Sequence, residues 1–593
     1  MSVYSALKVT LVFLAVLTFT GCQTPGVYRA EVDQKALAMI AKTREQALDN
    51  GEAFTVDRPS DRLRTRLIQD SGLAVAGPES LGADHLAQVP HWPEPGYPGV
   101  LDSRAGQTPS PPDSLTLTLL KALEVGAGNS SEFQAEKESV FQAALALYLE
   151  EENFRNYFTG HVKNLLESDT TGSQSRDGTV VSGELGGVRR FKSGMTLSTA
   201  LAADLAKLFT SGGSSSLGIT ADTSLAIPLL RGSARHIVTE PLKQAERNLV
   251  YAVISFERFK QEFAVTVATG FMALLRQEDT VKNSEEDYKS RRVSATRSKR
   301  LADAGRLKEI QVDQAVQTEL LARQRWVSAR EQYKRQLDTF KTLLGLPPDA
   351  DIKIDPGENL RLTESGDGLP GRLELDPRTA VELALSRRLD LEKVRGRVID
   401  AQRAVVVAAD RLGAELTFLG SAALGQRRTI TSADLSNARL RTDKGVFSAL
   451  VTLDLPFERT AEAVAYRNSF LELEQAVRAA QDLEDRVKLA VYNRLRDLLE
   501  ARETLKIQAS AVDLAKKRVR SINLFMEAGR AETRDLLEAQ DALLSAQNSL
   551  TSARVNYRIA ELEIQRDMGV LAVTDTGVWR EYHPDLNENT DMP

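Results

Sequence analysis

Apolar positions near the end of the chain repeat every seven residues. Leu536, Leu543, Leu550, Tyr557 and Ile564 form one row, and Ala539, Ala546, Ala553 and Ala560 form a second row three places later. A strict seven-residue repeat marks a left-handed coiled coil, and alanine at alternate seam positions lets helices approach closely. Leu537, Leu544 and Leu562 widen the stripe, so this helix has apolar seams for two neighbours. Neither Gly nor Pro occurs between Pro456 and Gly529, or between Gly529 and Gly569. Uninterrupted helices there would run about 105 Å and about 58 Å at 1.5 Å per residue, too long for a compact domain.

A different period appears ahead of two prolines. Phe447, Ala449, Val451, Leu453 and Leu455 alternate with Ser448, Leu450, Thr452 and Asp454 before Pro456. Leu217, Ile219, Ala221, Leu225 and Ile227 alternate with Gly218, Thr220, Asp222 and Ser224 before Pro228. Period-2 alternation with one apolar face predicts strands of a membrane barrel. Their expected partners are 195–209, joined through the Gly/Ser turn 212–216, and 413–426, joined through a polar loop. In 195–209, Leu197, Leu201, Leu205 and Leu208 fit a helix as well.

These elements come in two copies. Ala304-Gly305-Arg306 and Ala528-Gly529-Arg530 each separate one long helical stretch from the next, and each glycine is followed forty residues later by another, Gly345 and Gly569. Upstream, Ile227-Pro228-Leu229 parallels Leu455-Pro456-Phe457, and Leu117-Thr118-Leu119 before Ala122 parallels Leu375-Asp376-Pro377 before Ala380. The unit predicted is helix, strand pair, long helix, tight turn, long helix, duplicated. Four strands per chain cannot close a barrel, and open edges are not tolerated in lipid. Three copies would supply twelve.

The start of the chain has its own pattern. Lys8 precedes an apolar run over 9–19 that is too short to span a bilayer and ends Phe19-Thr20-Gly21-Cys22. This resembles the lipobox of bacterial lipoproteins, with Phe19 in place of the usual Leu. The resemblance implies acylation of Cys22, and Gln23 after it resembles the signal for the outer membrane. Ordinary signal cleavage, leaving a free thiol, is the other reading. A helical pattern over 31–48 follows, then eight prolines between Pro78 and Pro112, which break helices and strands alike. They predict either an extended tether or plain disorder.

Composition narrows the chemistry. One cysteine in 593 residues excludes a disulfide framework, a thiolate zinc site and a CxxC centre. Lys plus Arg (76) and Asp plus Glu (82) nearly cancel, leaving −6 and no basic footprint for nucleic acid. The five histidines are scattered, and no GxxxxGK[ST], HExxH, GxSxG or strand-linked GxGxxG motif is present. No enzyme and no cofactor is expected.

The duplication, the 375–391 opening with Ala380, Leu383 and Ala384, and Glu527-Ala528-Gly529-Arg530 followed by Asp535-Leu536-Leu537-Glu538-Ala539-Gln540 resemble the TolC family of outer-membrane efflux and secretion channels. With its lipobox the chain looks like the lipoprotein branch. The resemblance covers about 115–572 and implies a mainly α fold with a membrane β-barrel. In that fold a homotrimer encloses a twelve-stranded barrel, four strands per chain, continuous with a periplasmic coiled-coil α-barrel. It implies a passive conduit that docks on a periplasmic adaptor and an inner-membrane pump, and it leaves the cargo open.

The segments expected are a signal peptide at 1–21, a lipid-anchored extension and tether at 22–112 and repeats at 113–348 and 373–572. A linker at 349–372 joins the repeats, and a polar tail follows at 573–593. The resemblance carries two sites over. Asp535 and Glu538 would be acidic residues of the periplasmic gate, where the first repeat has Gln311 and Gln314. The alternative is that both are solvated flanks of the Leu536 seam. Gly305, Arg306, Gly529 and Arg530 would form the adaptor-docking tips, although a tight turn alone accounts for both glycines. The rival to a channel is a lipid-anchored periplasmic coiled-coil scaffold, which would have no use for strands.

Overall fold

The structure, a computed structural model, describes residues 24–48, 54–55, 63–64, 67–68, 71–80, 88–94, 115–170, 175–209, 213–355, 357, 375–528 and 530–582. Cys22, Gly529 and the signal segment lie outside them, as does most of 349–372. The elements are α1 (Pro25–Leu48), β1 (Leu115–Leu117), α2 (Leu119–Asn129), α3 (Ser131–Glu152), β2 (Asn156–Asp169), β3 (Arg176–Arg190), β4 (Thr196–Leu208) and β5 (Ser215–Pro228). Then come α4 (Arg235–Val238), α5 (Glu240–Asp303), α6 (Glu309–Leu343), β6 (Ile352–Ile354), α7 (Pro377–Arg387), α8 (Leu389–Asp410), β7 (Glu415–Gln426) and β8 (Gly445–Asp454). The chain ends with α9 (Thr460–Glu527), α10 (Thr533–Met568), β9 (Ala572–Val573) and β10 (Trp579–Arg580).

The chain divides into two units, one of Met1–Phe141, Val253–Glu392 and Asp482–Pro593, the other of Gln142–Ala252 and Lys393–Gln481. In the first unit the duplication is visible residue by residue. Helices α2 and α7 have 11 residues each and are capped by Thr118, which accepts from Lys121 N, and Asp376, which accepts from Arg378 N. The later helices α6 and α10 have 35 and 36 residues and end at Gly345 and Gly569, with φ of 75° and 72°. Both glycines sit against the end of the preceding short helix, where a Cβ on Gly345 would lie 2.0 Å from Asn129 O and one on Gly569 3.1 Å from Arg387 O. The core around α7 and α10 holds Ala380, Ala384, Leu391, Val487, Val491, Tyr557, Ala560, Ile564 and Met568.

Alanine and every seventh apolar residue meet there, as the heptads require. The other seam of α9 is unpartnered in a single chain, since Leu489, Tyr492, Leu499, Ile507 and Leu514 are exposed. Helix α1, longer at its start than the 31–48 pattern predicts, buries Ala36, Ile40 and Arg44. Arg44 bonds Asp575 at 2.8 Å, and Lys260, fully buried, reaches Asp575 and Glu257 at 2.8 Å each. Burial opposes the Asp575 carboxylate, but Lys260 and Arg44 outweigh it and hold the group below the usual aspartate range.

The second unit contains one six-stranded sheet in the order β2-β3-β4-β5-β7-β8, with every neighbouring pair antiparallel. The predicted pairs are present as β4 with β5 and β7 with β8, and 195–209 is a strand and not a helix. The expected count of four strands is corrected to six, because a hairpin of β2 and β3 extends the sheet, and twelve strands no longer follow from three copies. The hairpin escapes a reading of hydropathy because β3 carries Gly178, Gly183, Gly186 and Gly187, which read as loop, and Asn164 breaks the apolar row of β2.

Candidate functional site

Register fixes the two faces of the sheet, since successive side chains alternate sides. On one face lie Phe158, Val162 and Leu166 of β2, Val181 and Leu185 of β3, and Leu197, Leu201 and Leu205 of β4. Ile219, Leu225, Phe418, Phe447, Val451 and Leu453 continue it through β8. The opposite face carries His161, Lys163, Glu167, Ser182, Glu184, Ser198, Asp204, Thr220, Asp222, Ser224, Ser421, Ser448 and Thr452. One mainly apolar face and one that carries most of the polar side chains of the sheet is the sidedness expected of a barrel wall with lipid outside and water within.

The polar face is partly covered. After Gly425 (φ 86°) the chain leaves β7, and segment 427–444 lies on that face, where Ile430 and Ala433 pack on Val180, Ala206 and Leu208. Arg428, 5% exposed, donates to Ser216 Oγ at 2.8 Å, Gln426 Oε1 at 3.1 Å and the Ser436 carbonyl at 2.7 Å. Leu217 N donates to Asn437 Oδ1 at 2.9 Å, and Ala438 N to the Leu217 carbonyl at 2.7 Å. A guanidinium with these acceptors and the Arg427 carbonyl at 3.3 Å fixes the segment at the end of the sheet farthest from the helix connections. In sequence this stretch reads only as a polar loop.

The helix tips lie in the other unit. At the first, Gly305 has φ 70°, and Arg306 N donates to the Leu301 carbonyl at 2.8 Å. At the second, Arg530 N donates to the Phe525 carbonyl at 2.8 Å. The same six-to-one bond closes both helices, which is the Schellman pattern that glycine permits. Gly529 lies outside the described residues. Arg306 and Arg530 are exposed, and neither guanidinium meets a partner among the described residues.

Beyond the second tip, Asp535 Oδ2 accepts from Glu532 N at 3.0 Å in a reciprocal capping box that starts α10. Glu538 accepts from Arg518 of α9 at 2.8 Å, and both of those side chains are about half exposed. Leu536, Leu537 and Ala539 between them are buried. Asp535 therefore has a local structural task, and Glu538 has a counter-ion from its own chain.

One cluster was not singled out from sequence. Arg291 of α5, fully buried, donates to Asp287 Oδ1 at 2.9 Å and to Asp541 Oδ1 of α10 at 2.7 Å, while Arg325 of α6 reaches the same Asp541 oxygen at 3.0 Å. Burial pushes the Asp287 carboxyl up, against the pull of Arg291. In sequence, Asp287 and Arg291 look like one more exposed i,i+4 pair. Only the burial of Arg291 sets them apart.

Among the described residues no group of His, Cys, Asp and Glu could hold a metal ion, and no helix is long and apolar enough to cross a membrane. No family model matches the chain, and no curated protein matches it. Solved structures do. The chain is similar to the outer-membrane protein VceC of Vibrio cholerae, with a TM-score of 0.56 at 12% identity over 76% of this chain and 96% of that one. The Campylobacter jejuni outer-membrane channel CmeC matches with a TM-score of 0.55 at 12% identity over 79% and 92%. The outer-membrane channel OprN matches with 0.54 at 14% over 76% and 89%. The chain has the fold of these TolC-like outer-membrane channels.

Proposed function

We propose that the chain forms an outer-membrane channel, three copies enclosing a passive conduit from periplasm to exterior, that serves a tripartite efflux or type I secretion system. One observation carries the proposal: a six-stranded sheet with one apolar and one polar face in the same chain as a duplicated set of long helices, of which α9 leaves Leu489, Tyr492, Leu499, Ile507 and Leu514 exposed. A periplasmic scaffold accounts for the helices but leaves the apolar face of the sheet nothing to face. Purification in mild detergent with planar-bilayer recording decides between them. Trimers with discrete conductance support the channel, and stable monomers without conductance would sink it.

In this reading Cys22 carries the lipid anchor, so radiolabelled palmitate enters the wild type and not Cys22→Ser. Gly305, Arg306, Gly529 and Arg530 meet a periplasmic adaptor linked to an inner-membrane pump. The similar hydrogen bonding of both tips and the exposure of Arg306 and Arg530 support that role. Bulky replacements at both glycines abolish cross-linking to the adaptor; unchanged cross-linking removes the docking assignment. Asp535 and Glu538 supply a ring of negative charge at the periplasmic constriction, since capping uses only one Asp535 oxygen and Glu538 stays exposed. No reaction is assigned to any residue.

A further inference from the structure

The two edges of the six-stranded sheet carry more information than its interior. Every residue of β8 is exposed, and so are twelve of the fourteen in β2, whereas β4 and β5 alternate with buried positions. Exposed apolar side chains gather at both edges: Phe158, Val162 and Leu166 on one, and Phe447, Val451 and Leu453 on the other. An unpaired edge at membrane depth leaves its backbone groups unsatisfied. Five antiparallel steps separate β2 from β8, so these strands run in opposite directions, and β8 of one copy meets β2 of another antiparallel.

Register tells how far they slide. Directly paired residues run from Gly160 through Leu185, Leu201, Ala221 and Leu424 to Gly445. From that line β2 extends four residues to its helix-linked end at Asn156, and β8 extends nine to Asp454. The strand ends therefore drift by five residues over five steps, about one per strand, always in the same sense. A sixth step of one residue brings the drift to six. Six is even, so the apolar face of β8 continues onto the apolar face of the next β2. It sets Gly445 opposite Leu166 and Asp454 opposite Tyr157, which places all ten residues of β8 against strand β2. Without the slide only five would overlap. One residue of stagger per strand, with a rise of ~3.3 Å and a spacing of ~4.8 Å, tilts the strands by about 35°, within the range of closed barrels.

We propose that β8 of each copy pairs with β2 of the next copy of this chain on this register, closing an eighteen-stranded barrel from three chains, with the β2–β3 hairpin as part of the wall. The proposal rests on the trimeric channel reading above. An eighteen-stranded ring has a backbone diameter of about 34 Å, against about 22 Å for twelve strands at a similar tilt. Segment 427–444, on the polar face of each copy, then lies inside a lumen wide enough to hold three of them.

Paired cysteines on the polar face test this by oxidative cross-linking of the full chain in membranes. The chain carrying Ser448→Cys with Lys163→Cys, or Thr452→Cys with Thr159→Cys, gives disulfide-linked ladders ending at a closed trimer, and the single-substitution chains give the background from Cys22. A link from Ser448→Cys to Leu165→Cys, the neighbour on the same face, supports the same edge. If Ser448→Cys instead links to Ala200→Cys or Ala202→Cys of β4 in trimers that conduct, the hairpin lies outside the wall and the proposal fails while the channel reading stands. Ladders that stop at two copies overturn the eighteen-stranded ring. Wild-type chains that neither trimerise nor conduct remove the channel reading and this closure with it.

Discussion

In the first repeat, helices of 11, 22, 64 and 35 residues accompany four strands; in the second, helices of 11, 22, 68 and 36 residues accompany two. The helices have kept their lengths within four residues while the strand count has doubled. Both counts are even, and the physical reason is direction: a strand pair returns the chain to the side it left, whereas a single added strand would send the next helix the wrong way. Helix length is pinned differently: side-chain caps start α2, α7 and α10, and left-handed Gly345 and Gly569 stop α6 and α10. The repeats also differ in charge. Counting from the tip glycines, Asp287 and Arg291 of the first repeat correspond to Ala511 and Ala515 of the second, while Asp535 and Glu538 of the second correspond to Gln311 and Gln314 of the first.

That contrast can be broken in order of size. Removing the buried guanidinium with Arg291→Ala leaves Asp287 without its closest counter-ion, a loss of about 3–5 kcal/mol for one partner of a buried pair. Denaturant unfolding of the helical part shows a lower midpoint, and an unchanged midpoint means the cluster contributes nothing. Next, Gly345→Ala destabilises more than Gly569→Ala. Both place alanine at positive φ, about 1–2 kcal/mol each, but only the first drives a Cβ to within 2.0 Å of a backbone oxygen. Equal thermal shifts for the two would mean that the repeats are more alike than their geometry indicates.

A third test uses pH. Asp575 is held below the usual range in the folded state, so its contribution is complete above the ordinary aspartate range and disappears as pH falls through the folded value. The wild type therefore loses stability on that acid limb, and Asp575→Asn flattens it. A limb of unchanged slope would remove Asp575 from the account. The smallest structural effect is expected from Asp535→Asn combined with Glu538→Gln, which gives the second tip the uncharged character of the first. Asparagine keeps an oxygen for Glu532 N, and an exposed pair such as Arg518 with Glu538 contributes about 0–1 kcal/mol. Stability stays nearly constant while cation selectivity falls; unchanged selectivity and conductance remove the gate assignment.

Much of this architecture could be read from sequence, for identifiable reasons. Heptads, the absence of Gly and Pro and the forty-residue spacing of glycines are local and periodic, and they gave the long helices and the duplication. Strand β7 was expected only as the partner of β8, whereas β5 and β8 announced themselves by alternation. The hairpin of β2 and β3 did not, because glycines blur period 2, and its membership in the sheet depends on a register set by partners far along the chain. The same holds for the sites. The tip turns follow from glycine, but the capping role of Asp535 needs the position of Glu532 N, and the Arg291 cluster joins three helices whose charges look ordinary one at a time. Arg428 is the same case, since Ser216 and the Ser436 carbonyl meet its guanidinium only when 427–444 folds onto the sheet.

The exposure of every residue in β8 has a thermodynamic corollary. On the closure proposed above, a chain whose edge strand β8 is paired only to β7 is not a finished fold that later associates. Closed in that way, β8 gains its second set of backbone partners only at the moment of encounter, and stability becomes a function of chain concentration instead of a property of one molecule. Dilution should act on this protein as a denaturant does, and any helper that keeps single chains from meeting the wrong partner would have those bare strands as its substrate.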